Sequence, residues 1–300
     1  MKINVIGVPL YFGCDREGVD LSPNILREHG LIELLEKNHE EVYDLGNIYV
    51  ESTHETSKFS HHKSMKYLSP IVNVNKNLAH SVYTSLTSGS FPLVIGGDHA
   101  LGLGSLSGCS KAFGEDLAVI WIDAHGDINT HTSSPSGNVH GMPLASAMGE
   151  GPSSLTDLYF KGQKVKPQNV YIVGARDLDE GELKLIEDLN LSVWTTSDVK
   201  EKGCENIINS ILKDIASKGI NNVHLSYDID SLDASLVPGT GTPVANGLSM
   251  DEVKYLLKYL LSSGLIKSMD FVELNTKIDK DDSTLKVALE LLDFISYNLK

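Results

Sequence analysis

The fold and the chemistry of this chain depend on one stretch, Ala118-Val-Ile-Trp-Ile-Asp123-Ala-His125-Gly-Asp127-Ile-Asn129. An apolar, β-rich run leads here directly into an Asp-x-His-x-Asp triplet. Because successive side chains of a strand alternate between faces, we expect Asp123, His125 and Asp127 to project the same way. Two carboxylates and an imidazole that converge at the end of a buried strand repel one another or stay partly protonated unless a cation holds them. The triplet therefore predicts a metal site, with solvated strand-end carboxylates as the alternative.

The composition excludes two classes of partner. The chain has 300 residues, of which 41% are hydrophobic and 22% charged, as in ordinary globular proteins. A formal net charge of −15 argues against nucleic acid and against an anionic membrane as partners. The three cysteines lie far apart in no CxxC pair, the first residues carry no signal-peptide pattern, and no apolar run is long enough to span a membrane. We therefore expect a cytoplasmic protein with reduced thiols.

Apolar runs alternate with helical patterns along the whole chain. We predict strands at residues 2–8, 41–45, 91–95, 118–122, 170–173, 191–194, 223–227 and 266–273. The predicted helices include 22–35, with Ser22 as N-cap, 63–87, 203–218 and a segment opened by a Ser249–Glu252 capping box. This alternation indicates an α/β fold of three layers, αβα, with a mostly parallel central sheet. No repeat or compositional break divides the chain, so we expect a single domain over residues 1–300.

Ligand-type side chains follow five of the predicted strands, and the carboxyl ends of parallel strands meet at one edge of a sheet. The candidate metal ligands are His99, Asp123, His125, Asp127, Asp228 and Asp230. Two divalent cations would neutralise the four aspartates, and the histidines add neutral nitrogen ligands. A nitrogen and oxygen set without thiolate suits Mn²⁺ better than a structural Zn²⁺. Two such ions can share and acidify a water, so the expected chemistry is hydrolysis.

Four segments together resemble the signature blocks of the ureohydrolase (arginase/agmatinase) family. They are Gly-Gly-Asp-His99, Asp123-Ala-His125-Gly-Asp127, Ser226-Tyr-Asp228-Ile-Asp230 and Pro238-Gly-Thr-Gly-Thr-Pro243. The resemblance extends over nearly the whole chain and implies one α/β domain with two Mn²⁺ that hydrolyses guanidinium compounds to urea. By that resemblance one ion is held by His99, Asp123, Asp127 and Asp228. The other is held by His125, Asp123, Asp228 and Asp230, so that Asp123 and Asp228 bridge the two.

The loop after the triplet indicates the substrate. Its hydroxyls and amides suit a carboxylate that no nearby Arg or Lys is placed to pair, although an ordinary polar loop would also contain them. The segment resembles the arginase version of this loop, in which such residues receive the α-carboxylate of L-arginine. The residues in question are Asn129, Ser134, Ser136 and Asn138. The resemblance also implies that Asp179 meets the α-ammonium, that Glu182 helps through water, and that Glu273 lies near the guanidinium.

The resemblance thus implies hydrolysis of L-arginine to L-ornithine and urea. A metal-bridging hydroxide attacks the guanidinium carbon, and the amine leaves after a proton is relayed through Asp127 and the shuttle His140. A first alternative is an agmatinase or another guanidino-compound hydrolase. A second, of a different class, is a catalytically silent protein that binds metal or arginine, which the intact ligand positions argue against.

Two positions depart from the family pattern. Ala234 follows Asp233 where the family usually has Pro, which alters the stiffness of that loop. Asp251 stands where arginases commonly carry an Arg that makes ion pairs between subunits of trimers and hexamers. The inverted charge removes that contact. We expect self-association from the resemblance, with a monomer as the alternative.

Overall fold

Eight strands form one parallel sheet in the computed structural model, which describes residues 1–300. They are β1 (Lys2–Val8), β2 (Glu41–Asn47), β3 (Phe91–Gly96), β4 (Ala118–Ile122), β5 (Val170–Ala175), β6 (Ser192–Thr195), β7 (Val223–Asp228) and β8 (Ile266–Val272). Their spatial order is β2-β1-β3-β8-β7-β4-β5-β6, and every neighbouring pair is parallel. The eight strands predicted from the sequence are confirmed.

Helices cover both faces of this sheet. They are α1 (Ser22–Glu28), α2 (Leu31–Glu36), α3 (Leu68–Thr87), α4 (Gly102–Phe113), α5 (Pro143–Ala147), α6 (Ser153–Thr156), α7 (Glu180–Leu189), α8 (Thr196–Lys202), α9 (Cys204–Ser217), α10 (Met250–Ser262) and α11 (Ser283–Asn298). Successive residues of a strand, such as Ile120 and Trp121, belong to two different clusters of buried apolar side chains. Because neighbours along a strand point to opposite faces, each cluster lies on its own face. The predicted three-layer αβα class is confirmed. No helix combines the length and apolarity that crossing a bilayer requires.

The helix predicted over residues 22–35 is wrong as a single element. It breaks between α1 and α2 at Gly30, whose φ of 85° lies in the left-handed region that glycine tolerates. Ser22 is also not the N-cap, because it lies inside the first turn and donates its hydroxyl to the carbonyl of Val19 at 2.8 Å. The capping box of α10 is confirmed, since Ser249 and Glu252 exchange hydrogen bonds.

The order of the strands gathers the polar strand ends. The five strands followed by candidate ligands are β3, β8, β7, β4 and β5, which are consecutive neighbours in the sheet. Their carboxyl ends therefore form one continuous edge, and each contributes at least one ionisable side chain there. The strands that contribute none lie at the two sides of the sheet.

The contact between α3 and α4 tests how closely this scaffold is packed. Asn75 accepts the backbone N–H of Gly104 at 2.6 Å, and a Cβ on Gly104 would lie 2.8 Å from the Asn75 carbonyl oxygen. Gly104→Ala gains about 1 kcal/mol of helix propensity, but overpacking a core costs about 1–3 kcal/mol and the lost hydrogen bond about 1 more. We expect a net loss of about 1–3 kcal/mol in the free energy of unfolding, measured in urea. Lys111→Ala, at an exposed position of α4, is the control. An unchanged urea midpoint for Gly104→Ala would contradict this packing.

Candidate active site

His99 is held at the centre of the polar edge. Its ring stacks on Trp121, with centroids 4.0 Å apart, and its Nε2 lies 2.8 Å from the hydroxyl of Ser226. The opposite ring nitrogen, Nδ1, faces three carboxylate oxygens at 2.9, 3.0 and 3.2 Å. These belong to Asp123, Asp127 and Asp228. His99 is thereby oriented with one nitrogen toward the core and the other toward the carboxylates.

Asp123 lies between two histidines. Its Oδ2 faces His99 and accepts the indole N–H of Trp121, whereas its Oδ1 accepts the backbone N–H of His125 at 2.7 Å. The Nδ1 of His125 is 3.3 Å from Asp123 Oδ1 and 3.3 Å from Asp230 Oδ2. Two sets of ligand atoms therefore converge and share Asp123. One is His99, Asp123 and Asp127, and the other is Asp123, His125 and Asp230. Asp228 borders the first set through His99 and accepts the Asp230 N–H through Oδ1.

The chemistry of these groups fits divalent cations. His99 Nδ1 and Asp127 Oδ2 are buried without a hydrogen-bond partner, although they lie 3.0 Å apart. Burial and the neighbouring Asp123 charge raise the pKa of Asp127 to about 6, and burial and Asp230 raise the pKa of Asp228 well above its ordinary value. Without a cation the cluster must therefore retain protons, which a metal would displace. No thiolate is present in either set.

Arg176 fixes the backbone that carries Asp230. Its guanidinium donates to the carbonyls of Asp230, Ser231, Leu232, Val244 and Ala245, at distances of 2.7 to 3.2 Å. These carbonyls come from two separate loops, so one side chain joins the turn after β7 to the segment before α10. Arg176 follows β5, and it therefore connects three parts of the polar edge.

A polar cleft of about 120 Å³ opens beside the metal-ligand sets and has no hydrophobic lining residue. It brings together nine residues that the sequence singled out: His125, Asp127, Asn129, Ser134, Ser136, Asn138, His140, Asp179 and Glu182. Gly141, Asp177 and Thr242 also line it and were not predicted. Asp177 and Thr242 lie in segments that the sequence had marked, beside Asp179 and within the Pro238–Pro243 block. Nothing in the sequence singled out Asp177 or Thr242 individually as a site residue.

Glu273 lies outside the cleft lining but contacts it through His140. Its Oε1 accepts the backbone N–H of His99 at 2.9 Å and lies 3.2 Å from His140 Nδ1. Burial lowers the pKa of His140, but the hydrogen bond and charge of Glu273 outweigh that effect and raise it. The other oxygen, Oε2, is buried and has no partner. Glu273 also has a φ of 66°, an uncommon conformation for a residue other than glycine.

The loop residues are held by a network that includes a lysine. Asn138 accepts from Lys66 Nζ at 2.8 Å and donates to the Cys14 carbonyl at 3.1 Å. A lysine therefore contacts this loop, although Lys66 is not among the residues that line the cleft. Lys66 lies in the segment before α3. This segment meets the loop only in the folded chain, so the contact cannot be read from neighbouring positions in the sequence. Asn129 donates to Asp179 at 2.8 Å, so two predicted substrate-contacting residues are also bonded to each other.

Glu182 lies at the floor of the cleft. It is 3% exposed, and its two oxygens accept the backbone N–H groups of Ile128 and Asp179 at 3.2 and 3.0 Å. Burial, followed by the charge of Asp127, raises its pKa to about 7. Glu182 thus ties the first turn of α7 to the loop after β4, and this places Asp179 beside the cleft.

Comparison with known proteins decides the family. A sequence model described as the Arginase family matches residues 1–295. The chain belongs to the arginase family. The arginase of Staphylococcus aureus strain COL is 42% identical over 290 residues, which span 97% of this chain and 95% of that protein. Arginases are hydrolases that cleave carbon–nitrogen bonds. Because this chain belongs to the family, it is a hydrolase of this kind.

Solved structures favour arginase over the other branches of the family. The Bacillus caldovelox arginase superposes with a TM-score of 0.92 at 38% identity and covers 100% of this chain and 99% of its own. An Entamoeba histolytica arginase in complex with L-ornithine gives 0.91 at 33% identity, with 98% of both chains covered. A hypothetical agmatinase from Burkholderia thailandensis gives 0.72 at 24% identity, which shows the fold alone. The ureohydrolase resemblance read from the sequence is confirmed, and so is its arginase branch.

Metal addition tests the two ligand sets. Because a cation binds the folded cluster and not the unfolded chain, Mn²⁺ at about 100 times its Kd should stabilise chelator-treated protein by about 2.7 kcal/mol. For a chain of 300 residues that corresponds to a rise in Tm on the order of 4 °C, measured by scanning calorimetry. Asp123→Asn should lose most of the rise, since Asp123 belongs to both sets. Asp293→Asn removes the same charge from an exposed position of α11 and should keep it. Equal Tm rises in both variants would exclude Asp123 as a ligand.

Proposed function

We propose that this chain hydrolyses L-arginine to L-ornithine and urea. The observation that carries the proposal is the polar cleft, which has potential metal ligands at one end and the Asn129–His140 loop and Asp179 around it. A guanidinium held near His125 and Asp127 would leave the α-carbon end of the same molecule beside the loop. Few other substrates combine a guanidinium with a carboxylate and an ammonium at the far end.

We propose that the centre holds two Mn²⁺ ions. One would be bound by His99, Asp123, Asp127 and Asp228, and the other by His125, Asp123, Asp228 and Asp230. The unpartnered His99 Nδ1 and Asp127 Oδ2 support the first site. The shared position of Asp123 between the two histidines supports a bridging role. When bound, the two ions supply a water of lowered pKa and a positive field for charge that develops during attack on the guanidinium carbon.

The substrate is oriented by its two ends. Asp179 is proposed to accept the α-ammonium, in a position stabilised by Asn129 and by the capping contact of Glu182. Asn129, Ser134, Ser136 and Asn138 line the cleft and would donate to the α-carboxylate. Glu273 is proposed to pair with the guanidinium through Oε2, which has no other partner. These contacts would hold both ends of the substrate and so keep the guanidinium carbon beside the metal ligands.

Two side chains are proposed to move the proton. Asp127 lines the cleft beside His140, and its carboxylate is placed to accept a proton and pass it on. His140 lines the cleft with Nδ1 turned toward Glu273, which leaves Nε2 to deliver a proton to the departing amine. Glu273 keeps this histidine oriented and favours its protonated form.

We also propose a single catalytic domain over residues 1–300, because one continuous sheet carries both apolar clusters and all the candidate ligands. A cytoplasmic location is supported by the three free cysteines, two of which are buried. By resemblance to the family we also propose self-association, with a monomer as the alternative. Asp251 is exposed in the first turn of α10, where its charge cannot make the ion pair of arginase trimers and hexamers. Sedimentation velocity distinguishes a monomer from such an assembly.

Substrate choice is tested by urea release. With Mn²⁺ present, L-arginine should be hydrolysed with a kcat/KM on the order of a hundredfold or more above that for agmatine, because a decarboxylated substrate leaves the loop donors unpaired. In the same assay Asp127→Ala should nearly abolish urea release. A preference for agmatine would support the guanidino-compound alternative. Binding of L-arginine without urea would support the catalytically silent one.

The ammonium contact is tested at Asp179. Asp179→Asn removes the charge, and hydrogen bonds to charged groups contribute about 1.5–3 kcal/mol, so KM for L-arginine should rise about tenfold to a hundredfold. The α-ammonium does not change during the reaction, so kcat should stay within about threefold. Asp188→Asn, on the exposed part of the same helix, should leave both constants unchanged. A fall in kcat with KM unaltered would contradict a binding role for Asp179.

A further inference from the structure

A second polar cluster is buried in the sheet beneath the proposed metal centre. His224 and Ser226 on β7 lie opposite Ser268 and Asp270 on β8, in the parallel register His224–Ser268 and Ser226–Asp270. All four side chains are at most 2% exposed. They share one face with Asp228, because residues 224, 226 and 228 alternate along the strand. The proposed mechanism uses none of them, yet buried polar groups of this kind carry a large desolvation penalty unless they are paired.

Asp270 is the centre of this cluster. Its Oδ1 accepts from the Ser105 hydroxyl of α4 at 2.7 Å, and its Oδ2 lies 3.1 Å from His224 Nε2 and 3.5 Å from the Ser226 hydroxyl. Burial lowers the pKa of His224, but Asp270 outweighs it and raises that pKa to about 10. The histidine and the carboxylate therefore neutralise each other. The ion pair can remain buried because its other polar atoms also have partners: His224 Nδ1 lies 2.8 Å from the Ser268 hydroxyl, and Asp270 Oδ1 accepts from Ser105.

The direction of the hydrogen bonds follows from the donor inventory. Ser226 has one hydroxyl proton and two neighbours, Asp270 Oδ2 and His99 Nε2. In the contact with Asp270 the Ser226 hydroxyl donates and the carboxylate oxygen accepts, which leaves a Ser226 lone pair facing His99. His99 must then carry its proton on Nε2. Its other nitrogen, Nδ1, is left as a lone pair directed at the three carboxylates, which is the form that binds a cation.

We propose that Asp270, paired with His224 and acting through Ser226, is a positioning residue that keeps His99 in its metal-binding tautomer. The inference rests on the metal centre of the proposed function and goes beyond it. Partners behind a ligating histidine fix its tautomer and orientation, and their loss typically weakens metal binding ten- to a hundredfold. Here the partner carboxylate is that of Asp270, and it acts through the Ser226 hydroxyl. Its charge is neutralised by a second histidine, His224, deeper in the core.

Mn²⁺ binding to the full chain tests this, followed by electron paramagnetic resonance. The double variant Asp270→Leu/His224→Leu removes both members of the ion pair, so no unpaired charge stays buried. We expect its Mn²⁺ affinity to fall about tenfold to a hundredfold, mainly at one ion. The exchange-broadened spectrum of paired ions should then give way to the hyperfine-split spectrum of isolated ions. Ser226→Ala should show the same change, and Ser226→Thr, which keeps the hydroxyl, should restore wild-type binding.

Ser105→Ala is the matched control, because it also removes one buried hydroxyl bonded to Asp270 but has no contact with His99. It should bind both ions as the wild type does, even where its Tm falls as far as that of Ser226→Ala. Wild-type affinity in both the double variant and Ser226→Ala would overturn the inference, and so would equal weakening by Ser105→Ala. A wild-type chain that binds no Mn²⁺ would overturn the metal centre itself, so the two failures are distinguishable.

Discussion

Negative charge buried at one edge of a parallel sheet is the constraint on which the rest of the structure depends. Asp123, Asp127, Asp228 and Asp230 are each at most 5% exposed and lie around two histidines. Such a group of carboxylates cannot be fully ionised in a medium of low polarity without positive charge beside it. Backbone N–H groups, the Trp121 indole and retained protons meet part of this requirement. The negative charge that these groups leave uncompensated favours the binding of cations at this edge of the sheet.

The order of the strands explains why the charge collects at this edge. The five contributing strands are adjacent, and β8, which carries Glu273, is the one strand that lies between those followed by the candidate metal ligands. The candidate metal ligands lie at the strand ends or in the first turns after them, whereas the groups proposed to meet the substrate lie mostly farther along the loops. The candidate metal ligands therefore lie close to the regular, hydrogen-bonded part of the sheet. Recognition of the substrate depends on segments whose shape is set by side-chain contacts, such as those of Asn138 and Asp179.

The convergence of the candidate metal ligands could be predicted from the sequence because its signal is local. A buried strand followed by Asp-x-His-x-Asp specifies the place, and parallel topology brings the other strand ends to it. The predicted common direction of the three side chains is wrong, because β4 ends at Ile122 and the chain bends over the triplet, in which Asp127 has a φ of 53°. Lys66 could not be predicted, since its contact with Asn138 depends on how a segment with few signals crosses a distant loop. The break at Gly30 was missed because the apolar pattern continues across it. The pairing of Asp270 with His224 needs the register of two strands, which neither strand encodes alone.

Arg176 has a consequence for how the centre is loaded. Its guanidinium joins five carbonyls from two loops, and none of these bonds involves a metal ligand's carboxylate. The backbone beneath Asp230 is thus held in place by a permanent internal cation. A cation that binds there would meet a loop that is already ordered, so little ordering entropy would be lost on binding. Loss of the metal would then leave the backbone around Asp230 in place, ready for another cation.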